Sequence, residues 1–456
     1  MVAPQAEVEH TASRYAAALL RALGRADVAA AVAPRHPAVA AARCGLLALT
    51  GPSEAPPRLC PAPLAACADG ALAALAALAP PRALDDLCGA ALLTERAAIF
   101  GHARRGRVSP GGSARLLDTR DGAVALNLPR DDDWTLLPAL LEREIALDWP
   151  ALAAAVRDTT MHELVERGRE LGLAIAPVVP APLRRALLAV PARNEPADEV
   201  RRQRRQDSHP RVLDLSSLWA GPLCSHLLQR CGADVVKLES TRRPDGARNG
   251  PATFFDLLNA GKRSVALDFA SDDGRARLRE LISRADIVIE ASRPRALRQL
   301  GIDAEAIVAK RPHLTWISLT GYGRGAPQEQ WIAYGDDAGV AGGLAYLMRQ
   351  VHGAPMFVGD AIADPLAGLH AALAAWAGWC AGGGGLVSIA LVDVVRQIVG
   401  FEAPADAAGW RQRARDWADA LGSDDIRAPQ ARRAAARAPA LGADNARVFA
   451  DWGIAC

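Results

Sequence analysis

The hydrophobic pattern after residue 210 alternates between short apolar runs and longer amphipathic segments. Runs rich in Val, Ile and Leu predict buried strands at 211–215, 233–239, 263–269, 285–292 and 314–321. Helical patterns lie between several of them; two begin at Asp272 and Asp303, and aspartate is a good N-cap. Strands that alternate with helices predict parallel βαβ units in an open, doubly wound α/β sheet. Ligands of such sheets bind beyond the carboxyl ends of the strands, so the turn "SSLWAGP" (216–222) is placed to meet one.

The pattern before residue 194 is less regular. Its helical segments are alanine-rich, 116–129 predicts a hairpin around Asp121-Gly122, and 171–179 predicts one further strand. We therefore predict two parts, 1–193 and 211–456, joined by a charged, proline-flanked linker at 194–210. A solvated linker is the main interpretation of that segment, and an arginine-rich binding patch is the alternative.

An internal repeat relates the two parts. With a shift of 298 positions, 45–77 aligns without gaps on 343–375, and "AALAA" meets "AALAA". Three further identities support the match: Gly45 with Gly343, Pro57 with Pro355, and Gly70 with Gly368. We interpret the repeat as a duplication, in which the second copy has Asp364 where the first has Ala66.

The composition argues against several classes of protein. The net charge of +2, with 23% charged residues, gives no general electrostatic case for nucleic acid or an anionic membrane as partner. The eight cysteines show no zinc spacing, so no metal site is expected, and the absence of a secretory start favours the cytoplasm. The long apolar stretch from Pro365 predicts a buried helix rather than a membrane span.

Asp364 is the candidate for chemistry, because the common nucleotide and hydrolase motifs are missing. "GYGRG" (321–325) lacks the dinucleotide GxGxxG spacing, and no GxSxG, Walker A or HExxH occurs. Asp364 directly precedes Pro365 at the start of an apolar helix, where a carboxylate is stabilised. It is either a structural N-cap or a carboxylate nucleophile that attacks an activated acyl group.

Several segments of 211–400 resemble class III CoA-transferases, the CaiB–BaiF family, in the family's own order. They are "VLDLSSLWAGP", "GADVVKLES", "NAGKRSVALDF", "ADIVIEASRPRALRQLGI", "HLTWISLTGYGRGAP", "AYGDDAGVAGG" and "ADPLAGLHAALAA". "LLTERAAIFGHARRGRVSP" and "DGAVALNLPRDDDWTLLPALL" in the first part resemble the family's small domain. The resemblance implies a Rossmann-like large domain at 211–456, a smaller α+β domain supplied by 1–193, and two truncated copies fused in one chain.

The resemblance also implies an activity. Family members move CoA, a sulfur-containing group, between an acyl-CoA and a small carboxylic acid, through a covalent aspartyl intermediate that falls on Asp364. The CoA thioester is a substrate, with no tightly bound cofactor, and members form interlocked homodimers. A homodimer is therefore expected here, its halves pairing within one chain, between chains, or both. The implied CoA contacts are Leu218, Trp219, Ala220, Arg242 (or Arg243), Leu267, Ser292, Arg293, Arg298 and Tyr334.

Three departures leave alternatives open. The place of the histidine that racemases of this superfamily use falls near Gly335. Gly335 also separates Tyr334 from the next carboxylate, Asp336. The family's mobile glycine loop has no match, since "GGGG" (382–385) aligns with an ordinary turn. One alternative is isomerase or lyase chemistry on an acyl-CoA, with Asp364 as general base. The other is a non-catalytic CoA-binding subunit, which the loss of a carboxylate at Ala66 would suit.

Overall fold

The computed structural model describes residues 8–180, 182, 209–422 and 426–454. The predicted linker at 194–210 lies outside the described residues except for its last two. The α-helices of the first half are α1 Thr11–Ala22, α2 Pro37–Arg43, α3 Leu64–Leu78, α4 Gly89–Leu92, α5 Glu95–Phe100, α6 Asp131–Thr135, α7 Leu137–Leu141, α8 Trp149–Val156 and α9 Met161–Glu170. Those of the second half are α10 Ala220–Arg230, α11 Ala252–Asn259, α12 Asp272–Arg284, α13 Pro294–Gln299, α14 Ala304–Lys310, α15 Gly335–Ala341, α16 Leu344–His352, α17 Ala363–Cys380, α18 Leu391–Gly400, α19 Ala407–Leu421 and α20 Asn445–Trp452.

The strands form two sheets. The small antiparallel sheet has the order β1-β2-β3, and the large parallel sheet has the order β6-β5-β4-β7-β8-β9. Their bounds are β1 Ala114–Asp118, β2 Ala123–Asn127, β3 Ala174–Pro177, β4 Arg211–Asp214, β5 Asp234–Ser240, β6 Arg263–Leu267, β7 Ile287–Glu290, β8 Thr315–Thr320 and β9 Gly385–Ala390. No described helix is both long enough and apolar enough to cross a membrane.

The large sheet confirms the predicted α/β class. All its pairings are parallel, as in β4 with β5 and with β7, and each of the five predicted strand segments overlaps one of its strands. Asp303 caps α14, as predicted, by accepting a hydrogen bond from Ala306 N. The prediction for Asp272 was wrong, since the cap of α12 is Ser271, whose hydroxyl accepts from Gly274 N, and Asp272 is the first helical residue.

The first half supplies the smaller α+β unit. β1 and β2 form the predicted hairpin, with Asp118 opposite Ala123, and the segment 171–179 contains β3, which pairs antiparallel with β2. Leucines of the sheet and its helices form a separate small core, which includes Leu126, Leu140 and Leu164. The strands are joined by the four-residue loop 119–122, and neither Asp121 nor Gly122 in it has a positive φ, so the connection is not the two-residue Asp-Gly turn.

The two halves share the largest core of the molecule. Its fully buried side chains come from both, among them Leu64 and Leu75 of α3 and Leu223 and Leu369 of α10 and α17. The indole Nε1 of Trp376 donates to Leu78 O across the interface at 3.0 Å. The described parts of the two halves therefore pair within one chain.

Two helix pairs in this core pack alike. In α3, a Cβ on Gly70 would lie 2.5 Å from the carbonyl oxygen of Ala12 in α1; in α17, a Cβ on Gly368 would lie 2.6 Å from that of Ala220 in α10. Both glycines therefore permit a backbone approach that a side chain would prevent. Gly70 and Gly368 are matched in the internal repeat, so this similarity supports our proposal of a duplication.

We expect Tyr15→Phe to destabilise the whole chain by about 1–3 kcal/mol, because it leaves two buried polar groups unpaired. The Tyr15 hydroxyl lies 2.7 Å from His370 Nε2 in α17 and accepts from Gln397 Nε2 at 2.8 Å, inside the shared core. Denaturant unfolding followed by tryptophan fluorescence should show one transition at a lower midpoint. Tyr346→Phe is the control, since none of the described residues hydrogen-bonds that hydroxyl. Two transitions, only one of them shifted, would contradict a common core.

Candidate active site

A buried ion network holds the turn after β4. The carboxylate of Asp245 accepts a hydrogen bond from Leu218 N at 2.9 Å and lies 2.9 Å from Lys237 Nζ. Lys237 Nζ also donates to Ser216 O at 3.0 Å. Leu218 consequently keeps a left-handed backbone with φ of 70° and an exposed apolar side chain. Such strain in a non-glycine residue persists only where the surroundings impose it, so the turn is rigidly presented to solvent.

A second ion pair lies beneath the same turn. Asp214, the last residue of β4, accepts from Ser216 N at 2.9 Å and from the Ser225 hydroxyl at 2.5 Å. Lys262 Nζ lies 3.4 Å from the Asp214 carboxylate, and both residues are buried. Burial lowers the pKa of Lys262 to about 8, against the opposing effect of Asp214. These groups explain why the turn needs no phosphate-binding glycines to hold its shape.

Asp364 lies in the first turn of α17, close to the turn after β4. Gly368 contacts the carbonyl of Ala220, and Asp364 precedes Gly368 by four residues, about one helical turn or ~6 Å. Asp364 is half-buried and accepts a hydrogen bond from Gly335 N. Burial raises the pKa of Asp364 to about 7, while the charge of Arg96 and the bond from Gly335 lower it.

Gly335 is in tight contact with the Asp364 carboxylate. A Cβ at Gly335 would lie 2.3 Å from Asp364 Oδ2 and 2.3 Å from Ala361 O. A residue with any side chain would therefore displace the carboxylate or the backbone that carries it. In the sequence, Gly335 is only a departure from the family pattern. The structure shows that the absence of a side chain there permits the close approach of the Asp364 carboxylate.

Three more carboxylates lie in the same acidic cluster: Asp336 and Asp360 act on the pKa of Asp364, and Asp336 also acts on that of Asp337. Asp336 accepts from Ala361 N at 2.8 Å, and Asp337 accepts from Tyr334 N at 3.1 Å. Asp360, on the loop before α17, is fully buried. Burial raises the pKa of Asp336 to about 6 and that of Asp337 to about 7. Because several carboxylates lie together, cations from elsewhere in the chain are needed to offset their mutual repulsion.

The first half supplies those cations and further hydrogen bonds. Arg96 Nη1 donates to Asp360 Oδ1 at 2.7 Å, and His102 Nδ1 lies 3.1 Å from Asp360 Oδ2. Asn127 Nδ2, at the end of β2, donates to Asp337 at 2.9 Å, and Ser109 hydrogen-bonds Asp336. The sequence did not single out these four residues, although three of them lie in the segment "LLTERAAIFGHARRGRVSP".

The predicted CoA contacts differ in accessibility. Leu218 is exposed and Tyr334 is half-buried, so both side chains have surface available to a ligand. Trp219 is buried with its ring edge-on to Phe254, and Ala220, also buried, begins α10. Leu267 is buried at the end of β6. These residues lie beyond or at the carboxyl ends of strands or, for Tyr334, before α15.

The predicted arginines have different surroundings. Arg242 binds Asp268, with 2.9 Å between Nη2 and Oδ2, and its side chain is 67% exposed. Arg298 Nη1 lies 3.2 Å from Glu329. Arg293 follows the half-buried Ser292 after β7; burial and the charges of Arg295, Arg130 and Arg243 lower its pKa. The structure thus places Arg243, rather than Arg242, among the arginines whose charges act on Arg293. Arg130, from the first half, is another of them.

No cluster of metal-ligating side chains occurs in the described residues. A model of CoA-transferase family III matches residues 208–445, more than half of the 456-residue chain. The chain belongs to this family. The match covers the large sheet, α10 with its preceding turn, and α17 with Asp364.

Curated members of CoA-transferase family III are similar over part of the chain. A succinate–glutarate CoA-transferase of Agrobacterium fabrum is 30% identical over 201 residues, which cover 40% of this chain and 50% of that protein. A formyl-CoA:oxalate CoA-transferase of a Bradyrhizobium species is 35% identical over 170 residues, 36% of this chain and 40% of that protein. The chain thus spans half or less of the length of these relatives.

Two solved structures also match in part. A CaiB/BaiF family protein from Brucella suis has 28% identity and a TM-score of 0.38, over 49% of this chain and 58% of that chain. A hypothetical protein from Mycobacterium tuberculosis has 30% identity and a TM-score of 0.38, over 42% of this chain and 56% of that chain.

Proposed function

We propose that this protein transfers CoA from an acyl-CoA to a small carboxylic acid, with Asp364 as nucleophile. The observation that carries the proposal is a half-buried carboxylate in the first turn of α17, the helix that packs on α10 at Gly368, held by Gly335 N–H. The similar CoA-transferases support it, since their names give formate, oxalate, succinate and glutarate as the acids involved. Small carboxylic acids and their CoA thioesters are accordingly the proposed substrates.

The proposed reaction uses the Asp364 carboxylate twice. It attacks the thioester carbonyl, which gives a mixed anhydride and releases CoA thiolate; the thiolate then attacks the aspartyl carbonyl, and the donor acid leaves. The acceptor carboxylate attacks the resulting aspartyl-CoA thioester, which gives a second anhydride and free thiolate. Attack of the thiolate on the acceptor's acyl carbon forms the product acyl-CoA and restores Asp364.

The surroundings of Asp364 suit a nucleophile that has to be both reactive and ionised. Burial raises its pKa to about 7, so it is a stronger base than a solvated aspartate. Gly335 N–H and the charge of Arg96 oppose that shift and keep an ionised fraction near neutral pH. We expect kcat/KM to rise with pH through about 7, because the ionised carboxylate attacks.

We propose that CoA lies across the turn after β4. Leu218, Trp219 and Ala220 would line its path, with the adenine and phosphates near Leu267, Ser292, Arg293 and the neighbouring Arg243, and the acyl end near Tyr334. Arg242 and Arg298 already have carboxylate partners in the structure, so they would have to exchange those partners to bind CoA. No tightly bound cofactor is needed for this chemistry.

A trapping experiment tests the covalent route. The protein is incubated with a panel of acyl-CoAs and then with hydroxylamine or borohydride, and the modified peptide is mapped by mass spectrometry. We expect modification at Asp364, lost in Asp364→Asn and kept in Asp303→Asn, a control that changes an aspartate at the cap of α14. Absence of an adduct, together with hydrogen exchange at the substrate α-carbon, would instead identify Asp364 as the base of an isomerase.

The oligomeric state stays a prediction. The family's homodimers led us to expect a dimer, and in this chain the first half already contacts the candidate site of the second. We propose that one chain forms one complete site, whether or not two chains associate. Sedimentation of the active protein at several concentrations separates monomer from dimer, and activity per chain should not fall as a dimer dissociates.

A further inference from the structure

The loop that leads into Asp364 has an unfavourable backbone. Ala361 has a φ of 44° and Gly359 a φ of 68°. A left-handed conformation costs a residue such as alanine on the order of 1 kcal/mol or more, so other contacts have to maintain it. One of them is Asp336, which accepts from Ala361 N at 2.8 Å. The position of Asp364 therefore depends on what holds residues 357–361.

The first half holds this loop at three points. Gly106 O accepts from Phe357 N at 2.9 Å, and Thr50 Oγ1 accepts from Gly359 N at 3.2 Å. The third point is Asp360, which is fully buried and lies between Arg96, 2.7 Å away, and His102, 3.1 Å away. A buried carboxylate without such partners would be strongly unfavourable. The ion pair therefore ties the strained loop to α5.

Arg96 also lies close to the proposed CoA turn. Its guanidinium is 6.0 Å from the centre of the Trp219 ring and 5.3 Å from that of Phe100. Its side chain is 24% exposed, so the charge is only partly screened by water. The charged groups that act on the pKa of Asp364 are Arg96 from α5, Asp336 from α15 and Asp360 from its own loop, and Asp360 in turn faces His102.

We infer that Arg96 and Asp360 are a positioning pair for Asp364. Their ion pair fixes the 357–361 loop and places one positive and one negative charge beside the Asp364 carboxylate. The inference rests on the proposed function only in naming Asp364 as the nucleophile. It gives the first half a role in the reaction through Arg96, and neither residue of the pair has to contact the acyl group.

Opposite substitutions test the pair. Arg96→Gln removes a positive charge that lowers the pKa of Asp364, and Asp360→Asn removes a negative charge that raises it. We expect the titration of Asp364 to move by at least half a pH unit upward in the first variant and downward in the second, with Arg96→Lys close to wild type. The probe is the 13C signal of aspartate carboxyls in the labelled protein, assigned to Asp364 by its loss in Asp364→Asn.

Activity measurements add a second readout. With a donor accepted in the trapping experiment, we expect kcat/KM of Arg96→Gln at pH 6 to fall about threefold or more, as a half-unit rise in the pKa of Asp364 requires, with a smaller loss at pH 8.5. Tyr15→Phe is the matched control, because it removes a buried contact between the halves without changing a charge. Equal titration curves in Arg96→Gln, Asp360→Asn and Tyr15→Phe would overturn the inference. Shifted curves in a protein that forms no acyl adduct would uphold it and reject the proposed transferase route.

Discussion

Asp364→Asn should abolish the proposed CoA transfer and at the same time stabilise the fold above pH 7. An amide cannot form the anhydride or the aspartyl-CoA thioester, so we expect kcat to fall at least about a thousandfold. The measurement is the steady-state exchange of CoA between a donor and an acceptor acid, by chromatography of the two thioesters. Unchanged CoA binding by calorimetry would show that the loss lies in the chemical steps.

The stabilisation follows from the sign of the pKa shift. Burial raises the pKa of Asp364 in the folded protein to about 7, whereas an unfolded aspartate has its ordinary pKa of 3.8. The folded state therefore gains stability from the protonated group below about pH 4 and loses it as pH rises through 7. Asparagine avoids that loss, so we expect a gain on the order of 1 kcal/mol at pH 8, after allowance for partial exposure, and none near pH 4. A variant that is less stable than wild type at pH 8 would contradict the assigned environment of Asp364.

Gly335→Ala should have the second-largest effect. The new methyl group would lie 2.3 Å from both Asp364 Oδ2 and Ala361 O, closer than packed atoms approach one another. The backbone of the 357–361 loop or the Asp364 carboxylate has to move by roughly 1 Å, and a displacement of that size costs about a hundredfold in rate. Overpacking should also lower the free energy of unfolding by about 1–3 kcal/mol.

Gly325→Ala is the matched control for that substitution. Gly325 lies on the loop after β8, and a Cβ there meets no atom within 4 Å. We expect this variant to keep the activity and stability of wild type within measurement error. If Gly335→Ala were as active as Gly325→Ala, the close contact with Asp364 would have no part in the reaction. Both kinetic constants should be measured, because a displaced nucleophile lowers kcat more than it raises KM.

The sequence predicted five of the six strands of the large sheet because these segments are short and largely apolar, as strands buried on both faces are, although β5 also contains the buried Lys237 and Glu239. It predicted the hairpin from Asp121-Gly122, and these two residues lie in the four-residue loop 119–122 that joins the strands. It failed at Asp272, where the next residue toward the N-terminus, Ser271, makes the cap instead. Choices between neighbouring polar residues depend on a backbone geometry that periodicity does not specify.

The candidate site was predicted only in part, for a different reason. Asp364 has a local signal, an aspartate before a proline and an apolar helix. Arg96 and Asp360 have none, because their contact joins positions 264 residues apart in the sequence. Asn127 and Asp337 are 210 residues apart. Such pairs arise from the packing of the halves, and no pattern within one segment encodes them.

The similar helix pairs α1–α3 and α10–α17 have a consequence for how this protein can evolve. In a symmetric dimer, a substitution in one copy of the gene appears on both sides of the interface at once. Here the two sides are separate stretches of one polypeptide, so each can change alone. Ala66 faces a fully packed core, whereas its counterpart Asp364 keeps a solvent-accessible carboxylate. One side is free to change as a packing scaffold while the other keeps the Asp364 carboxylate. Each mutation then affects only one side of the interface.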